Sequence, residues 1–298
     1  MVVQIDGVTK QFGDRTVLSD IHLHIPANSI FGFVGANGAG KTTLMKCMLG
    51  LLPLNAGTIT VAGEQVRFGE TPSNRHIGYL PDVPEFYPFY TARQYLELCA
   101  VITEMPKQEQ KPRIDELLEL TGLADVSSLI STYSRGMKQR LGIAQALLNR
   151  PKLLICDEPT SALDPAGRAQ ILSILRQAKG ETTVFFSTHI LSDAEHICDH
   201  VAMLHEGKII FQDELQALQR QFQGQYVFAF NVPAAQAKTQ LQDTSFVMEC
   251  KVDQLIAHLP DDASRLAFMA ELTKQGLLVE SMHPQTRLLE QLVLEVLG

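Results

Sequence analysis

One segment constrains the fold of this chain more than any other. Residues 35–42 read GANGAGKT and match the pattern G-x-x-x-x-G-K-[ST], with the apolar run 29–34 before them and a helix-forming stretch after them. Between a strand and a helix, such glycines let successive backbone N–H groups turn inward and, with the helix N-terminus, cradle a phosphate. An ordinary glycine-rich turn is the alternative, and the flanking strand and helix patterns argue against it. The segment therefore predicts a phosphate-binding loop.

This loop supplies the candidate ligands of a nucleotide, and ATP with Mg²⁺ are the predicted cofactors. We expect Lys41 to reach the β- and γ-phosphates and the Thr42 hydroxyl to bind Mg²⁺. The candidate nucleotide-binding residues of the loop are Gly35, Ala36, Asn37, Gly38, Ala39, Gly40, Lys41, Thr42 and Thr43.

A second segment places two carboxylates at the end of an apolar run. Residues 153–156 read LLIC, and Asp157 and Glu158 follow directly. A buried strand of this kind brings Asp157 to the sheet edge where Mg²⁺ would lie, and it lets Glu158 orient the attacking water as a general base. Alone, such a pair is as often a helix cap. Downstream of a phosphate loop, the metal and base roles are the better interpretation.

The strand patterns predict an α/β fold, a P-loop NTPase core in which helices flank a parallel sheet. Residues 2–30 alternate apolar and polar positions around a Gly-Asp turn, which favours an N-terminal antiparallel β-layer, and residues 58–68 look like its continuation. Two β-rich runs, 152–156 and 182–187, lie on either side of the helical pattern 166–179. That order is typical of a βαβ unit.

The chain divides into two predicted domains. We place an ATP-binding domain at residues 1–220, with a helical insertion at about 86–150, and a small C-terminal α+β domain at 221–298, where the composition becomes Gln-rich. For the second domain we predict a split βαβ module closed by a helix at 286–297. Its other elements are a strand at 226–232, a helix, strands at 246–251 and 255–259, a helix at 263–274 and a strand at 277–282.

Composition narrows the class of protein. The chain has 25 Lys and Arg against 33 Asp and Glu, a formal net charge of −8, which disfavours a broad nucleic-acid-binding surface. Its five cysteines are scattered and never form a C-x-x-C pair, so we expect a reducing compartment and no zinc site. No signal-peptide pattern is present, and no apolar run approaches the roughly 18 residues that a spanning helix needs. We therefore expect no transmembrane segment in this chain.

With these motifs and a further one at residues 133–137, the chain resembles the nucleotide-binding subunits of ABC transporters over approximately residues 1–220. The family's L-S-G-G-Q signature is matched there by YSRGM. Ser134 and Gly136 keep the family pattern, whereas Arg135 and Met137 depart from it. The resemblance implies that Ser134 and Gly136 face the γ-phosphate held by an opposite subunit, although a Ser in this position is also a common helix N-cap.

The resemblance also implies roles for residues elsewhere. Residues 161–164 (SALD) are similar to the family's D-loop, and His189 occupies the position of its switch histidine. Lys41, Glu158 and His189 are thereby the predicted catalytic residues. Phe12 matches the aromatic residue that stacks on adenine, with a simple core position as the alternative.

A clear departure from the family falls in residues 77–82 (IGYLPD), where Asp82 stands in place of the usual glutamine. A carboxylate can still approach Mg²⁺ through water, so Thr42, Asp157 and Asp82 are the predicted metal ligands. The aromatic cluster at 86–90 (FYPFY) follows. Core packing is its plainer interpretation; the resemblance implies instead a neighbouring surface where a permease docks.

The resemblance implies an ATPase that dimerises, with itself or with a relative, around two Mg-ATP and drives a separate membrane permease. Residues 284–294 are similar to the closing helix of drug and antibiotic exporter subunits, which favours an exporter. The implied location is cytoplasmic, peripheral on the cytoplasmic face of the cell membrane. A soluble ATPase acting on nucleic acid or another macromolecular machine is the alternative, and a non-catalytic nucleotide switch is a second one.

Overall fold

The chain forms two compact units, the first ending at Leu215 and the second beginning at Gln216. The computed structural model describes residues 1–69, 72–221, 224–242, 244–251 and 254–284, together with Leu289 and Leu292. Within this described part, no helix is long and apolar enough to cross a bilayer.

The first unit contains two sheets and a set of helices. Its strands are β1 (Val3–Phe12), β2 (Arg15–Ile25), β3 (Ile30–Val34), β4 (Ala56–Val61), β5 (Glu64–Gln65), β6 (Ile77–Leu80), β7 (Leu153–Cys156), β8 (Thr183–Thr188), β9 (His200–His205) and β10 (Lys208–Glu214). Its helices are α1 (Lys41–Met48), α2 (Ala92–Ile102), α3 (Lys107–Leu120), α4 (Arg135–Leu147), α5 (Pro165–Ala178) and α6 (Leu191–Ile197). Short 3-10 helices cover Pro72–His76 and Ile130–Thr132, and α7 (Leu215–Gln221) begins at the boundary with the second unit.

The antiparallel β-layer predicted at the N-terminus is confirmed. Its strand order is β2-β1-β4-β5. β1 and β2 pair across the Gly13-Asp14 turn, with Phe12 opposite Arg15. The predicted continuation at 58–68 is shorter than expected, because β4 ends at Val61 and only Glu64 and Gln65 pair beyond it.

The second sheet has the order β10-β9-β3-β8-β7-β6 and is parallel except for its β10 edge. Every residue of β3, β7 and β8 is buried, as expected of central parallel strands covered on both faces. The carboxyl ends of these three strands meet at one sheet edge, which is where open α/β sheets bind ligands. This edge therefore receives the glycine-rich loop, the two carboxylates and His189.

One hydrophobic core joins the two sheets of the first unit to α1. Phe31 and Phe33 of β3 both contact the ring of Phe185 on β8, at centroid distances of 5.9 and 5.4 Å. Burial of side chains of this size contributes roughly 1.5–3 kcal/mol each. The core thus fixes β3 and β8, the strands that lead into the phosphate loop and to His189.

The helical insertion is held against the parallel sheet by close contacts of α4. A Cβ added to Gly78 of β6 would lie 2.1 Å from the Ala146 carbonyl oxygen, so α4 packs directly on the strand. The buried Arg113 of α3 donates from Nη2 to the Leu147 carbonyl at 2.7 Å and so ties α3 to the end of α4. These contacts set the position of the α4 N-terminus, where residues 133–137 lie.

The second unit is the small α+β module that the sequence predicts. Its antiparallel sheet has the order β12-β13-β11-β14. Phe228 and Phe268 meet edge to face at 5.0 Å in its core. The predicted closing helix at 286–297 lies outside the described residues, apart from Leu289 and Leu292. The elements of the unit are β11 (Gln225–Phe230), α8 (Ala234–Gln240), β12 (Met248–Lys251), β13 (Gln254–His258), α9 (Asp262–Lys274) and β14 (Val279–Pro284).

Candidate nucleotide site

The glycine-rich loop joins β3 to α1 in a conformation that needs its glycines. A Cβ on Gly35 would lie 2.4 Å from the Leu204 carbonyl oxygen, so no larger residue fits there. Gly40, the residue before α1, has φ 115°, a left-handed conformation that glycine adopts without strain. The loop therefore turns tightly onto the N-terminus of α1, where backbone N–H groups and the helix dipole favour an anion.

Lys41, the first residue of α1, is buried and fully engaged. Its Nζ donates to the carbonyl oxygens of Gly35 at 2.6 Å and Ala36 at 3.2 Å, and it lies 3.0 Å from Glu158 Oε1. The ammonium is thus oriented toward the turn of the loop. A phosphate that binds Lys41 must replace at least one of these oxygens.

Asp157 is held by two hydroxyl groups, one from the loop side and one from β8. Thr42 Oγ1 donates to Asp157 Oδ2 at 2.6 Å, and Ser187 Oγ donates to Asp157 Oδ1 at 2.7 Å. The Ser187 oxygen also accepts the Glu158 N–H at 2.9 Å. Sequence reasoning missed Ser187, because a serine near the end of a strand carries no local signal of this contact.

Glu158 bridges the two other predicted catalytic residues. Its Oε2 lies 2.7 Å from His189 Nδ1 while Oε1 faces Lys41. Its backbone has φ 47°, which is uncommon for a residue with a side chain. β7 and β8 are adjacent strands, so this network follows directly from the sheet order.

Most of the predicted site residues line one cleft of about 500 Å³ at the carboxyl edge of the parallel sheet. That volume is in the range of small-molecule sites. Arg15, Val17 and Ser161 line it as well, although the sequence did not assign them to it. The predicted residues among its walls are Asn37, Gly38, Gly40, Lys41, Thr42, Thr43, Asp82, Asp157, Glu158 and His189.

Two oxygen donors of this cleft, the Thr42 hydroxyl and the Asp157 carboxylate, are suited to Mg²⁺. In the described part of the chain, no group of three or more His, Cys, Asp or Glu side chains is placed to hold a metal. The Thr42 hydroxyl and the Asp157 carboxylate are hard oxygen donors already in contact. Mg²⁺ is commonly bound by one or two carboxylates and substrate phosphates. Thr42 and Asp157 therefore suit Mg²⁺ that arrives with a nucleotide.

Asp82 contacts α4 through both its side chain and its main chain. Arg135 Nη2 donates to Asp82 Oδ1 at 3.2 Å, and Gln139 Nε2 donates to the Asp82 carbonyl at 2.6 Å. Burial raises the pKa of the Asp82 carboxyl above its ordinary value; the Arg135 charge opposes this rise, and the carboxylates of Asp157 and Glu158 add to it. The residue thus lies at the junction between the cleft and α4.

Six predicted nucleotide contacts lie outside the cleft walls, and three of these lie outside the phosphate loop. Phe12 is 47% exposed with the Lys10 ammonium 4.7 Å above its ring, so the alternative of a core position is wrong. Ser134 caps α4 by accepting the Met137 N–H at 3.3 Å, which confirms the N-cap interpretation. Gly136 lies in the first turn of the same helix. The loop residues Gly35, Ala36 and Ala39 are also absent from the walls, although the carbonyls of Gly35 and Ala36 bind Lys41.

The segment that resembles a D-loop is ordered by its own contacts. Asp164 caps α5 by accepting the Gly167 N–H at 2.9 Å. Thr160 donates to the buried Asp193 of α6 at 2.7 Å, and Arg168 pairs with the same carboxylate. The segment is therefore anchored at both ends beside Glu158.

Comparisons with known proteins agree with this geometry. The family model described as "ABC transporter" matches residues 18–161. The uncharacterized ABC transporter ATP-binding protein YxlF of Bacillus subtilis (strain 168) is 36% identical over 99% of both chains. The bacitracin transport ATP-binding protein BcrA of Enterococcus faecalis is 32% identical over 100% of this chain and 96% of that protein.

A solved structure described as the ATP binding subunit of an ABC transporter is similar in fold. Its TM-score is 0.66 at 30% identity, over 74% of this chain and 93% of that one. The phosphate loop, the Asp157 and Glu158 pair and the full-length likeness to YxlF lead to one conclusion: this chain belongs to the ABC transporter ATP-binding proteins and is an ATP-binding, ATP-hydrolysing subunit of that family.

Proposed function

We propose that this chain is the ATPase of an exporter, in which two copies, or one copy and a related chain, close around two Mg-ATP and drive a separate membrane permease. The observation that carries the proposal is the contact of Glu158 with both Lys41 and His189 in one cleft. Hydrolysis of a terminal phosphate needs a cation at the phosphates and a residue that positions the attacking water. Lys41 and Glu158 can supply these, with His189 in contact with the base.

In this proposal each residue of the cleft has a distinct task. Lys41 and the loop N–H groups bind the β- and γ-phosphates, and Glu158 orients the attacking water and accepts its proton. His189 holds Glu158 through Nδ1 and contacts the γ-phosphate. Thr42 and Asp157 hold Mg²⁺, which when bound neutralises charge on the phosphates. Binding of the nucleotide moves Lys41 from Glu158 to phosphate and so frees the base.

The open space around Gly136 supports the proposed dimer. A Cβ added there would meet only Leu163 Cδ2 at 3.9 Å, an ordinary contact, so packing within this chain does not require glycine. Glycine in a helix costs up to about 1 kcal/mol relative to alanine. A close approach by another molecule explains its use. In the dimer, Ser134 and Gly136 of one subunit would meet the γ-phosphate held at Lys41 of the other.

The proposed permease surface is the exposed apolar area near the helical insertion. Tyr87 is 54% exposed and Phe89 63% exposed, so core packing is the wrong interpretation for these two aromatics. Val83, four residues before Tyr87, is exposed as well. Aromatic and aliphatic side chains of this kind are typical of a protein interface. Binding there would place the chain at the cytoplasmic face of the membrane.

The exporter assignment is supported by the relatives rather than by the cleft. BcrA is named as a bacitracin transport protein and matches this chain over its whole length. We infer export of a compound that the permease selects. The formal charge of −8 gives no support to a nucleic-acid partner.

The test is Glu158→Gln measured with ATP and Mg²⁺ present. We expect turnover to fall to background while ATP binding is kept, and we expect the variant to dimerise with ATP because the nucleotide is no longer consumed. Co-purification with a polytopic membrane protein tests the transporter assignment. Sustained hydrolysis by the variant, without ATP-dependent dimers, contradicts the proposed roles.

A further inference from the structure

Two departures from the family pattern lie in contact with each other. Asp82 follows β6 and Arg135 begins α4, 53 residues later in the chain, yet their side chains form an ion pair at 3.2 Å. Each side chain is close to half exposed, at 46% and 44%. The two substitutions therefore form one charged pair within the protomer.

Position 82 is anchored by its backbone, while its carboxylate is held more loosely. The Gln139 amide, fully buried on α4, donates to the Asp82 carbonyl at 2.6 Å. Arg135 and Gln139 are four residues apart and thus lie on the same face of α4. The buried contact fixes the main chain, so the half-exposed carboxylate is the part of Asp82 that can change partner.

The same carboxylate also lines the nucleotide cleft. Asp82, Asp157 and Glu158 are all in its walls, together with Thr42. Thr42 and Asp157, which are in contact, are the pair that suits a divalent metal. The Asp157 and Glu158 carboxylates repel Asp82. Arg135 provides the compensating positive charge. A metal brought in with a nucleotide supplies a second and stronger positive charge to the same group.

We propose that Asp82 exchanges between two cations, Arg135 and the divalent metal that accompanies the nucleotide, with Arg135 as the positioning residue that holds it when no metal is bound. The aspartate side chain is short and its backbone is fixed by Gln139, so its reach is limited, and in this proposal contact with the metal replaces contact with Arg135. The two contacts compete. This inference rests on the proposed function, which supplies the metal and the nucleotide.

The competition links the cleft to the signature segment. With its carboxylate at a bound metal, Asp82 would no longer hold Arg135 on the first turn of α4, beside Ser134 and Gly136. Because coupling of two binding events is reciprocal, whatever draws Arg135 away from Asp82 strengthens metal binding by the same factor. Binding of Mg-ATP in one cleft is thus coupled to the release of Arg135 in residues 133–137, the segment that would meet a second subunit.

The experiment is a double-mutant cycle on the full-length chain, read out as metal-dependent nucleotide affinity. The dissociation constant of a non-hydrolysable ATP analogue is measured by calorimetry with Mn²⁺ and with EDTA, at protein concentrations where size exclusion shows monomers. The ratio of the constant in EDTA to the constant with Mn²⁺ measures how much the metal strengthens binding. Any effect of Arg135 on the nucleotide itself cancels in this ratio. The variants are Arg135→Gln, Asp82→Asn, the double variant and the charge-conserving Arg135→Lys.

Removal of the competing cation should strengthen the metal contribution. We expect Arg135→Gln to raise the ratio about two- to fivefold, the effect of a partly exposed ion pair, and Asp82→Asn to lower it by a similar factor. The double variant should match Asp82→Asn, because Arg135 acts only through Asp82. Arg135→Lys should stay near the wild-type ratio. Lys138→Gln removes the same charge from α4 without a contact to Asp82 and should leave the ratio unchanged.

The outcomes separate this inference from the proposed function. If wild-type protein fails to bind the analogue with millimolar Mn²⁺, the proposed function itself is wrong. Suppose instead that wild-type protein binds, but Arg135→Gln leaves the ratio unchanged or changes it by the same factor in the wild-type and Asp82→Asn backgrounds. The exchange is then wrong and the proposed function stands. Melting temperatures without nucleotide identify any variant that acts by loss of folding.

Discussion

Lys41 Nζ lies 3.0 Å from Glu158 Oε1, so the cation that begins α1 is paired with the carboxylate that follows β7. Both groups are largely buried, with 6% and 13% of their side chains exposed. In the proposed mechanism, a phosphate replaces the Glu158 carboxylate at the Lys41 ammonium. Nucleotide binding would then itself release the proposed base.

Lys41→Ala should weaken ATP binding strongly. The loss of a buried, charged hydrogen-bond donor at the phosphates lowers affinity by roughly tenfold to hundredfold. Calorimetry with ATP and EDTA measures this without hydrolysis. Lys46→Ala is the matched control, because Lys46 is an exposed lysine of the same helix. An unchanged affinity in Lys41→Ala, with the fold intact, contradicts the assignment of the phosphate loop.

Ser187→Ala should weaken both the fold and the ATPase. Its hydroxyl donates to Asp157 and accepts the Glu158 N–H, so its removal leaves two buried polar groups without this partner. The expected loss of unfolding free energy is about 1–3 kcal/mol. For a unit of this size, each kcal/mol lowers the melting temperature by about 2–4 °C.

Ser187→Thr keeps the hydroxyl and serves as the matched variant. We expect it to retain most of the stability and of the steady-state phosphate release. Equal losses in the two variants would mean that steric fit at this position, and not the hydroxyl, is what matters. Thermal melting followed by circular dichroism, with a phosphate-release assay on the same samples, makes the comparison.

The parts of the site that the sequence predicted are those whose signal is local. A single eight-residue segment specifies the loop around Lys41, and Asp157 directly follows an apolar strand, so spacing alone locates them. Ser187 and the Asp82–Arg135 pair have no such signal. Both depend on contacts between segments tens of residues apart, and only the packing of α4 on β6 and the pairing of β7 with β8 bring them together.

Exposure was the other property that sequence patterns did not determine. From sequence, apolar residues such as Phe89 are interpreted as core residues, because the same side chains fill both protein interiors and interfaces. The fold class was predictable, since alternating strands and helices with fixed turn chemistry restrict the topology. The choice between core and surface for an aromatic cluster depends on what packs above it.

We infer that residues 221–298 form a separate domain that is not needed to bind nucleotide. All described residues that line the cleft precede Leu215. A chain truncated after Gln221 keeps α7 and should bind ATP within about twofold of the full-length affinity. Hydrolysis and ATP-dependent dimerisation measured on the same truncation report whether the domain regulates either step. Loss of ATP binding in a truncated chain that still melts cooperatively would contradict this boundary.

Gly136→Ala should separate folding from dimerisation. A Cβ at this position has room within the protomer, since its nearest neighbour is Leu163 Cδ2 at 3.9 Å, and alanine raises helix stability by up to about 1 kcal/mol. We therefore expect an unchanged or higher melting temperature together with normal ATP affinity in the monomer. ATP-dependent dimers, measured by size exclusion with the Glu158→Gln background, should be lost, because the added methyl group occupies the approach to the partner's phosphate. Gly142→Ala on the same helix should give the opposite pattern. Its Cβ would lie 2.5 Å from Cδ1 of the fully buried Leu80 and 3.3 Å from Pro84 Cβ, so overpacking should outweigh the helix gain and lower the melting temperature. Full dimerisation by Gly136→Ala would show that glycine at this position serves neither the fold nor the proposed interface.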